Sequence, residues 1–273
     1  MQLTQAQLLE YRERGFIFLD SVFTPDEIAD LNQAFAEDCR TSGPHVIRQG
    51  DDTTVRALYA SHLRHPSFAW LVRARRLAGV ASQLLASDVY VHQFKTNAKQ
   101  PFGGEQWAWH QDYVVWRDLD DMPAPHAVNV GVLLDDATEH NGPVMFLPGT
   151  HLLGDLVSGR QSSAPKSTLH ADPDDYQLGS AEMDRLMAEY GSVSAKGASG
   201  GAVLFDPMIV HGSSANISPH PRRLLIITYN DVRNAPRSQG ADRRPEYLVG
   251  RDFTPIVATD EPLPSGTLGG SHS

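Results

Sequence analysis

From Val89 onward the sequence is a succession of short β-branched and apolar runs, each cut off by a turn signal. No other feature restricts the fold as much. The runs are 89–96, 127–134, 144–147, 202–205 and 224–229. Between them stand Gly103-Gly104, Asn141-Gly142-Pro143, Pro148-Gly149, Gly200-Gly201 and Pro219-His220-Pro221. Glycine and proline supply the backbone angles that end a strand, so this rhythm predicts a β-sandwich or jelly-roll barrel.

The preceding third reads as an α-helical flank. Thr4-Gln5-Ala6-Gln7 has the form of a capping box, and Gly15 ends that helix before a short strand over Phe16–Leu19. Thr24-Pro25-Asp26-Glu27 starts a second helix, in which Ile28, Leu31, Ala34 and Phe35 recur at helical spacing. Residues 41–53 are polar and read as a loop, and Phe68 to Leu85 reads as one helical stretch. Residues 154–200 interrupt the strands, with one helix predicted over Ser180–Tyr190. An insertion of this length is either a lid or a surface excursion. The expected organisation is a single domain over 1–257 and a flexible tail over 258–273.

A chain of 273 residues with 41% hydrophobic content can bury a sizeable core, and its net charge of −10 argues against nucleic acid or an anionic membrane as partner. The start, Met1-Gln2-Leu3-Thr4, lacks a basic region and an apolar signal core, and no apolar run approaches membrane-spanning length. The single cysteine, Cys39, expected half-buried on a helix, fits a reducing cytosol. These features lead us to expect a cytoplasmic protein acting on small molecules. They do not fix an oligomeric state.

The chemistry centres on Trp107-Ala108-Trp109-His110-Gln111-Asp112-Tyr113-Val114-Val115-Trp116. Its aromatic and β-branched composition reads as a strand leading into a turn, with a nitrogen and an oxygen ligand at its end. Far downstream, 204–211 is a second apolar run ending in His211. If the two runs pair, His110, Asp112 and His211 form a 2-His-1-carboxylate face, which suits iron(II) with open positions. The His-x-Asp spacing alone is weak, because His170-Ala171-Asp172 repeats it. That copy sits in a polar stretch with no strand ahead of it, and a metal site needs ligands fixed on rigid backbone, so we reject it. Arg222 opens the next strand and its guanidinium suits a dicarboxylate, while strand alternation turns Arg223 to the opposite face. Iron(II) activates oxygen only with an electron source. 2-Oxoglutarate would serve, chelating the metal at one end and meeting Arg222 at the other.

Together with Asn141-Gly142-Pro143 and Pro148-Gly149-Thr150-His151, these residues resemble the phytanoyl-CoA dioxygenase superfamily of iron(II)/2-oxoglutarate oxygenases. Further support comes from Val89–Lys95, Pro125–Val130, Ser218–Arg222 and Thr228-Tyr229-Asn230. The likeness covers nearly the whole chain except the tail, and is weakest over 154–200. Within the superfamily it is stronger to bacterial free-amino-acid hydroxylases, the proline trans-4-hydroxylases above all, than to ectoine hydroxylases. The resemblance implies a double-stranded β-helix (jelly-roll) core, with Fe(II) on His110, Asp112 and His211 and with 2-oxoglutarate and O2 as cosubstrates. It places Arg222 and Ser213 on the far carboxylate of 2-oxoglutarate and Asn97 nearby. Trp116 matches a position lining the substrate pocket of ectoine hydroxylases, but Asn129 stands where those have serine. Related halogenases lack the carboxylate that Asp112 supplies, so its presence favours hydroxylation. The expected substrate is a free L-amino acid, L-proline first, with ectoine, pipecolate or another specialised amino acid as the alternative.

Other residues have two readings. Gln93 and Trp116 either contact substrate or pack within a strand face. Arg56 either binds the amino acid's carboxylate or makes a surface ion pair. Trp107, Trp109 and Trp116 would form an aromatic wall. His92 and His126 read as hydrogen-bonded supporting groups rather than ligands, and His151 as a loop brace. The cluster from Gly197 to Gly201 lacks a P-loop lysine and reads as a turn. A non-catalytic metal-holding jelly roll would need a closed four-ligand site, and a zinc hydrolase a general-base carboxylate. The sequence offers neither.

Overall fold

The computed structural model describes residues 1–50, 53–104, 106–157, 176–237 and 243–264. The strands are β1 (Phe16–Leu19), β2 (Val46–Arg48), β3 (Val55–Tyr59), β4 (Val89–Lys99), β5 (Trp107–His110) and β6 (Ala127–Leu133). They continue with β7 (Val144–Phe146), β8 (Val193–Ser194), β9 (Ala202–Phe205), β10 (His211–Ser213) and β11 (Arg222–Asp231). A seven-stranded sheet runs β1-β9-β6-β11-β4-β3-β2, and a four-stranded sheet runs β5-β10-β7-β8. The pairings within both sheets are antiparallel. This is the jelly-roll core with an α-helical flank that the sequence pattern implies.

The helices are α1 (Gln5–Arg14), α2 (Pro25–Asp38), α3 (Pro66–Leu71), α4 (Arg75–Leu85), α5 (Asp112–Asp120) and α6 (Ser180–Tyr190). Both expected capping boxes form, Thr4 with Gln7 and Thr24 with Glu27, each satisfying two amides that the first helical turn leaves without partners. Helix residues Leu31, Phe68, Leu71, Leu77 and Val80 pack on Val128, Val130, Val132, Leu225, Ile227 and Tyr229 of the large sheet. The intervening residues of β6 and β11 face the other way, toward the small sheet. β6 is buried on both faces, with Val128, Val130 and Val132 against the helices and Asn129, Gly131 and Leu133 on the other side. No helix among the described residues is long and apolar enough to cross a membrane.

Four expectations about the elements need correction. The loop over 41–53 contains strand β2. The helix expected over 68–85 is two helices, because long-range contacts take hold of Val72–Ala74. The Tyr229 hydroxyl donates to the Val72 carbonyl at 3.0 Å, and Thr259 forms a parallel bridge with Ala74. The same contacts correct the tail. The Thr259 amide donates to Arg73 O, the Arg75 amide to Thr259 O and the Trp70 indole to Glu261 O, while Leu263 is buried. Residues 258–263 are therefore tied down. Finally, 204–211 is not one strand, since β9 ends at Phe205 and β10 begins at His211 in the other sheet. The central part of the 154–200 insertion, including His170 and Asp172, lies outside the described residues.

Candidate active site

Strands β5 and β10 pair with His110 directly opposite His211. Residues opposed in an antiparallel ladder project from the same face, so both imidazoles emerge side by side, with ring centroids 4.2 Å apart. Asp112 follows immediately as the first residue of α5. The run ending at Trp116 thus passes from strand into helix, not into an open turn. Gln111 fixes that junction. Its buried amide donates to Gly154 O and Met208 O and accepts from the Leu156 amide, while the Tyr113 amide donates to Pro207 O. One side chain thereby ties the His-Gln-Asp segment to the 206–210 turn that aims His211.

One nitrogen of each histidine and a carboxylate oxygen of Asp112 all lie within 4.8 Å of one another. His110 Nδ1 meets Ala108 O at 2.7 Å and His211 Nδ1 meets Ile209 O at 3.0 Å. Each Nδ1 therefore carries the proton, which leaves each Nε2 with a lone pair facing Asp112. His110 Nε2 is 3.4 Å from Asp112 Oδ1, and His211 Nε2 is 3.6 Å from Oδ2. Burial and the neighbouring His110 push His211 down to about 4, keeping it neutral at physiological pH. Burial opposes charge on Asp112, yet the charge of Lys95 among its neighbours favours it, and the carboxyl stays well below the usual carboxylate range. Two neutral imidazoles and one carboxylate are the donor set of a redox-active iron(II) with open positions. The residues fit the metal.

Two cavities meet at this triad. The larger, about 460 Å³, is lined by Arg56, Gln93, Lys95, Trp116, Arg244 and Leu248 among others. The narrower contains Asn97, Ser213 and Arg222, and both share Lys95, Trp107, His110 and Asp112. Arg222 is buried at 2% exposure, and its Nε and Nη2 donate to Gly142 O at 3.0 and 2.6 Å. No carboxylate lies within ion-pair distance of it among the described residues, and burial pushes it down to about 10. A buried guanidinium with remaining N–H donors and no anion calls for one from outside. Arg223, as alternation requires, turns away and pairs with Asp135. Gly142 has φ +72°, and a Cβ there would lie 2.5 Å from Ser214 O, so glycine is needed where the chain presents its carbonyl to Arg222.

Most of the residues singled out in the sequence converge here. Asn97 lines the narrow cavity with its Oδ1 lacking a protein partner. Gln93 lines the large cavity while donating to Leu248 O at 2.9 Å. Arg56 reaches the same cavity with its guanidinium 4.9 Å above the Trp107 ring. Trp116 lines it too, with its back edge against His92. Trp109 does not join the wall, because it points to the opposite face of β5 and packs beside Val114 and Leu186. His92 is a buried supporting residue, but neither ring nitrogen has a hydrogen-bond partner, and Asp120 stands 3.8 Å away. His126 pairs with Asp231 at the surface, and His151 holds Arg12 O. Cys39 is half-buried at the end of α2.

Sequence reasoning passed over Lys95, Lys99 and the bracing by Gln111. Lys99 is buried behind the narrow cavity and donates to Ser213 Oγ at 2.8 Å and to Ser214 O. Burial, with the charges of Arg222 and Arg56, pushes it down to about 7. The available signal was the period-two polar stripe Gln93, Lys95, Asn97, Lys99 on β4, which looks like a solvent face and instead lines the barrel interior.

A jelly roll carrying two histidines and one carboxylate beside a cavity with an unpaired arginine defines a mononuclear non-haem iron oxygenase. The family model for phytanoyl-CoA dioxygenase (PhyH) matches residues 11–224, and the chain belongs to that family. It is a dioxygenase dependent on iron and 2-oxoglutarate. The chain is 37% identical over 256 residues to an L-proline trans-4-hydroxylase of Streptomyces griseoviridis, covering 92% of this chain and 94% of that one. It is 35% identical over 264 residues to an ectoine dioxygenase of Bordetella bronchiseptica, covering 91% and 83%. The crystal structure of EctD from S. alaskensis with 2-oxoglutarate and 5-hydroxyectoine superposes with a TM-score of 0.83 at 28% identity, covering 96% of this chain and 89% of that one.

Proposed function

We propose that the protein hydroxylates a free L-amino acid, L-proline at the trans-4 position, with 2-oxoglutarate converted to succinate and CO2. His110, Asp112 and His211 hold iron(II). Arg222 and Ser213 hold the far carboxylate of 2-oxoglutarate in the narrow cavity, beside Asn97. The large cavity takes the amino acid, with Arg56 on its carboxylate and Trp116 and Gln93 against its body. When bound, the metal with 2-oxoglutarate and O2 supplies the oxidising power that replaces C–H by C–OH. One oxygen atom enters the product and the other enters succinate. The chain's own part is to orient the three components and to keep water from the reacting carbon.

The observation that carries this reading is the buried triad between two cavities of unequal size, the narrow one ending in an arginine without an anion. The choice of proline rests on the relative named as an L-proline trans-4-hydroxylase, which this chain matches over most of both lengths. Ectoine is the second reading, favoured by the 35% identity to an ectoine dioxygenase. Incubation with iron(II), 2-oxoglutarate and L-proline, pipecolate or ectoine, followed by mass spectrometry, separates them. Trans-4-hydroxyproline as the main product supports the proposal. Faster hydroxylation of ectoine or pipecolate overturns the choice of proline.

A further inference from the structure

Asp112 has a partner that its role as a ligand does not explain. Asn129 Nδ2 donates to Asp112 Oδ2 at 2.8 Å, and the Thr228 hydroxyl donates to Asn129 Oδ1 at 2.7 Å. Asn129 and Thr228 are directly paired across β6 and β11 and are buried at 1% and 0% exposure. The direction of this chain is determined. If Asn129 were rotated by half a turn, its oxygen would face the Asp112 carboxylate. An amide oxygen has no proton to offer a carboxylate, and Thr228 would lose its acceptor. The acceptor-only carboxylate therefore fixes which end of the amide meets the aspartate, and the Thr228 hydroxyl, bonded to the other end, holds the amide in place.

We infer that Asn129, held in place by Thr228, is a positioning residue that commits Asp112 to the metal through Oδ1 alone. This rests on Asp112 being a metal ligand. A carboxylate bound to iron can give one oxygen or two, and each extra oxygen closes a position that 2-oxoglutarate or O2 requires. An N–H held on Oδ2 by a rigid strand pair occupies that oxygen and stops the carboxylate rotating about its own axis. With the packing of Trp116 on His92 and Ala127, this bond also ties the ligand-bearing helix to the sheet that carries Asn97 and Arg222. The substitution of asparagine for the serine of ectoine hydroxylases then concerns the metal and not the substrate. A serine hydroxyl on the same Cβ would stop well short of the reach of an asparagine amide.

Cobalt(II) tests this without turnover. Wild-type protein, Asn129→Ala, Thr228→Val and Thr228→Ser are titrated with cobalt(II), following the visible spectrum and the dissociation constant. Asn129→Ala is expected to weaken cobalt binding about 10- to 100-fold, the usual effect of removing a group that orients a ligand. Its absorption should also weaken as a second carboxylate oxygen raises the coordination number. Thr228→Val, which keeps side-chain shape and removes only the hydroxyl, should move both readouts the same way by less, and Thr228→Ser should restore them. In turnover, the ratio of succinate to hydroxylated product should rise in Asn129→Ala. If the wild type binds no cobalt, the ligand reading itself fails. If it binds and all three variants share its affinity and spectrum, the positioning role of Asn129 is overturned.

Discussion

Replacing Arg222 by glutamine tests the anion-binding role proposed for the narrow cavity. The guanidinium is buried, makes two of its five N–H contacts to Gly142 O and has no carboxylate within ion-pair distance among the described residues. Removing one partner of a buried charge-assisted contact costs about 2–5 kcal/mol, so 2-oxoglutarate should bind roughly 30- to 4,000-fold more weakly. Without ligand the variant should unfold at the wild-type temperature or above it, because a buried unpaired charge has been removed. The assay is thermal unfolding with and without 2-oxoglutarate, a divalent metal being present throughout. At one hundred times its dissociation constant a ligand stabilises by about 2.7 kcal/mol, which raises the melting temperature by about 5 °C in a chain of this size. Wild type should show that rise and Arg222→Gln at most about 1.5 °C of it. Arg223→Gln, on the opposite face, should keep it, since Arg223 is paired with Asp135. An undiminished rise in Arg222→Gln, or equal loss in Arg223→Gln, refutes the placement.

Other consequences concern pH and the tail. Burial pushes the Asp206 carboxyl up from 3.8 to about 6, against the pull of its bond from the Met208 amide. Its favourable contribution to folding is complete below pH 3.8 and lost as pH rises through 6. Asp206→Asn, which keeps the acceptor, should therefore be more stable than wild type by about 1–3 kcal/mol at pH 8 and equal to it near pH 4, read from urea unfolding. Lys99, pushed down to about 7 by burial and by Arg222 and Arg56, loses its charge beside the narrow cavity as pH rises. The KM for 2-oxoglutarate should climb between pH 6 and 9 in wild type and stay flat in Lys99→Met. Ending the chain at Val257 removes the Thr259 bridge, the Trp70 acceptor and the burial of Leu263. The cost should be about 3 kcal/mol in chemical unfolding.

What the sequence revealed and what it hid follow from the range of the interactions involved. His110, Asp112, His211 and Arg222 were legible because each sits at the end of a strand-like run, and strand alternation alone separates Arg222 from Arg223. The capping boxes at Thr4 and Thr24 were legible because both partners lie within four residues. The break at Val72–Ala74 was not, because its causes, Tyr229 and Thr259, are remote in sequence and helical spacing continues through it. Val114, Val115 and Trp116 have a strand-like composition, yet helix α5 forms because Gln111 anchors its start and intrinsic propensity is weak against tertiary contacts. Asn129 carried a signal that went unread as such. It is an amide inside the run Val128-Asn129-Val130, where a polar group must have a buried partner. Only the folded chain shows that the partner is Asp112.

The central claim is tested most directly by turnover under isotopically labelled oxygen gas, with L-proline, iron(II) and 2-oxoglutarate. One labelled atom is expected in the hydroxyl group of the product, succinate is expected in equal amount, and both should fall to background in His110→Ala. Undiminished turnover in His110→Ala, or a hydroxyl oxygen drawn from water, would contradict it.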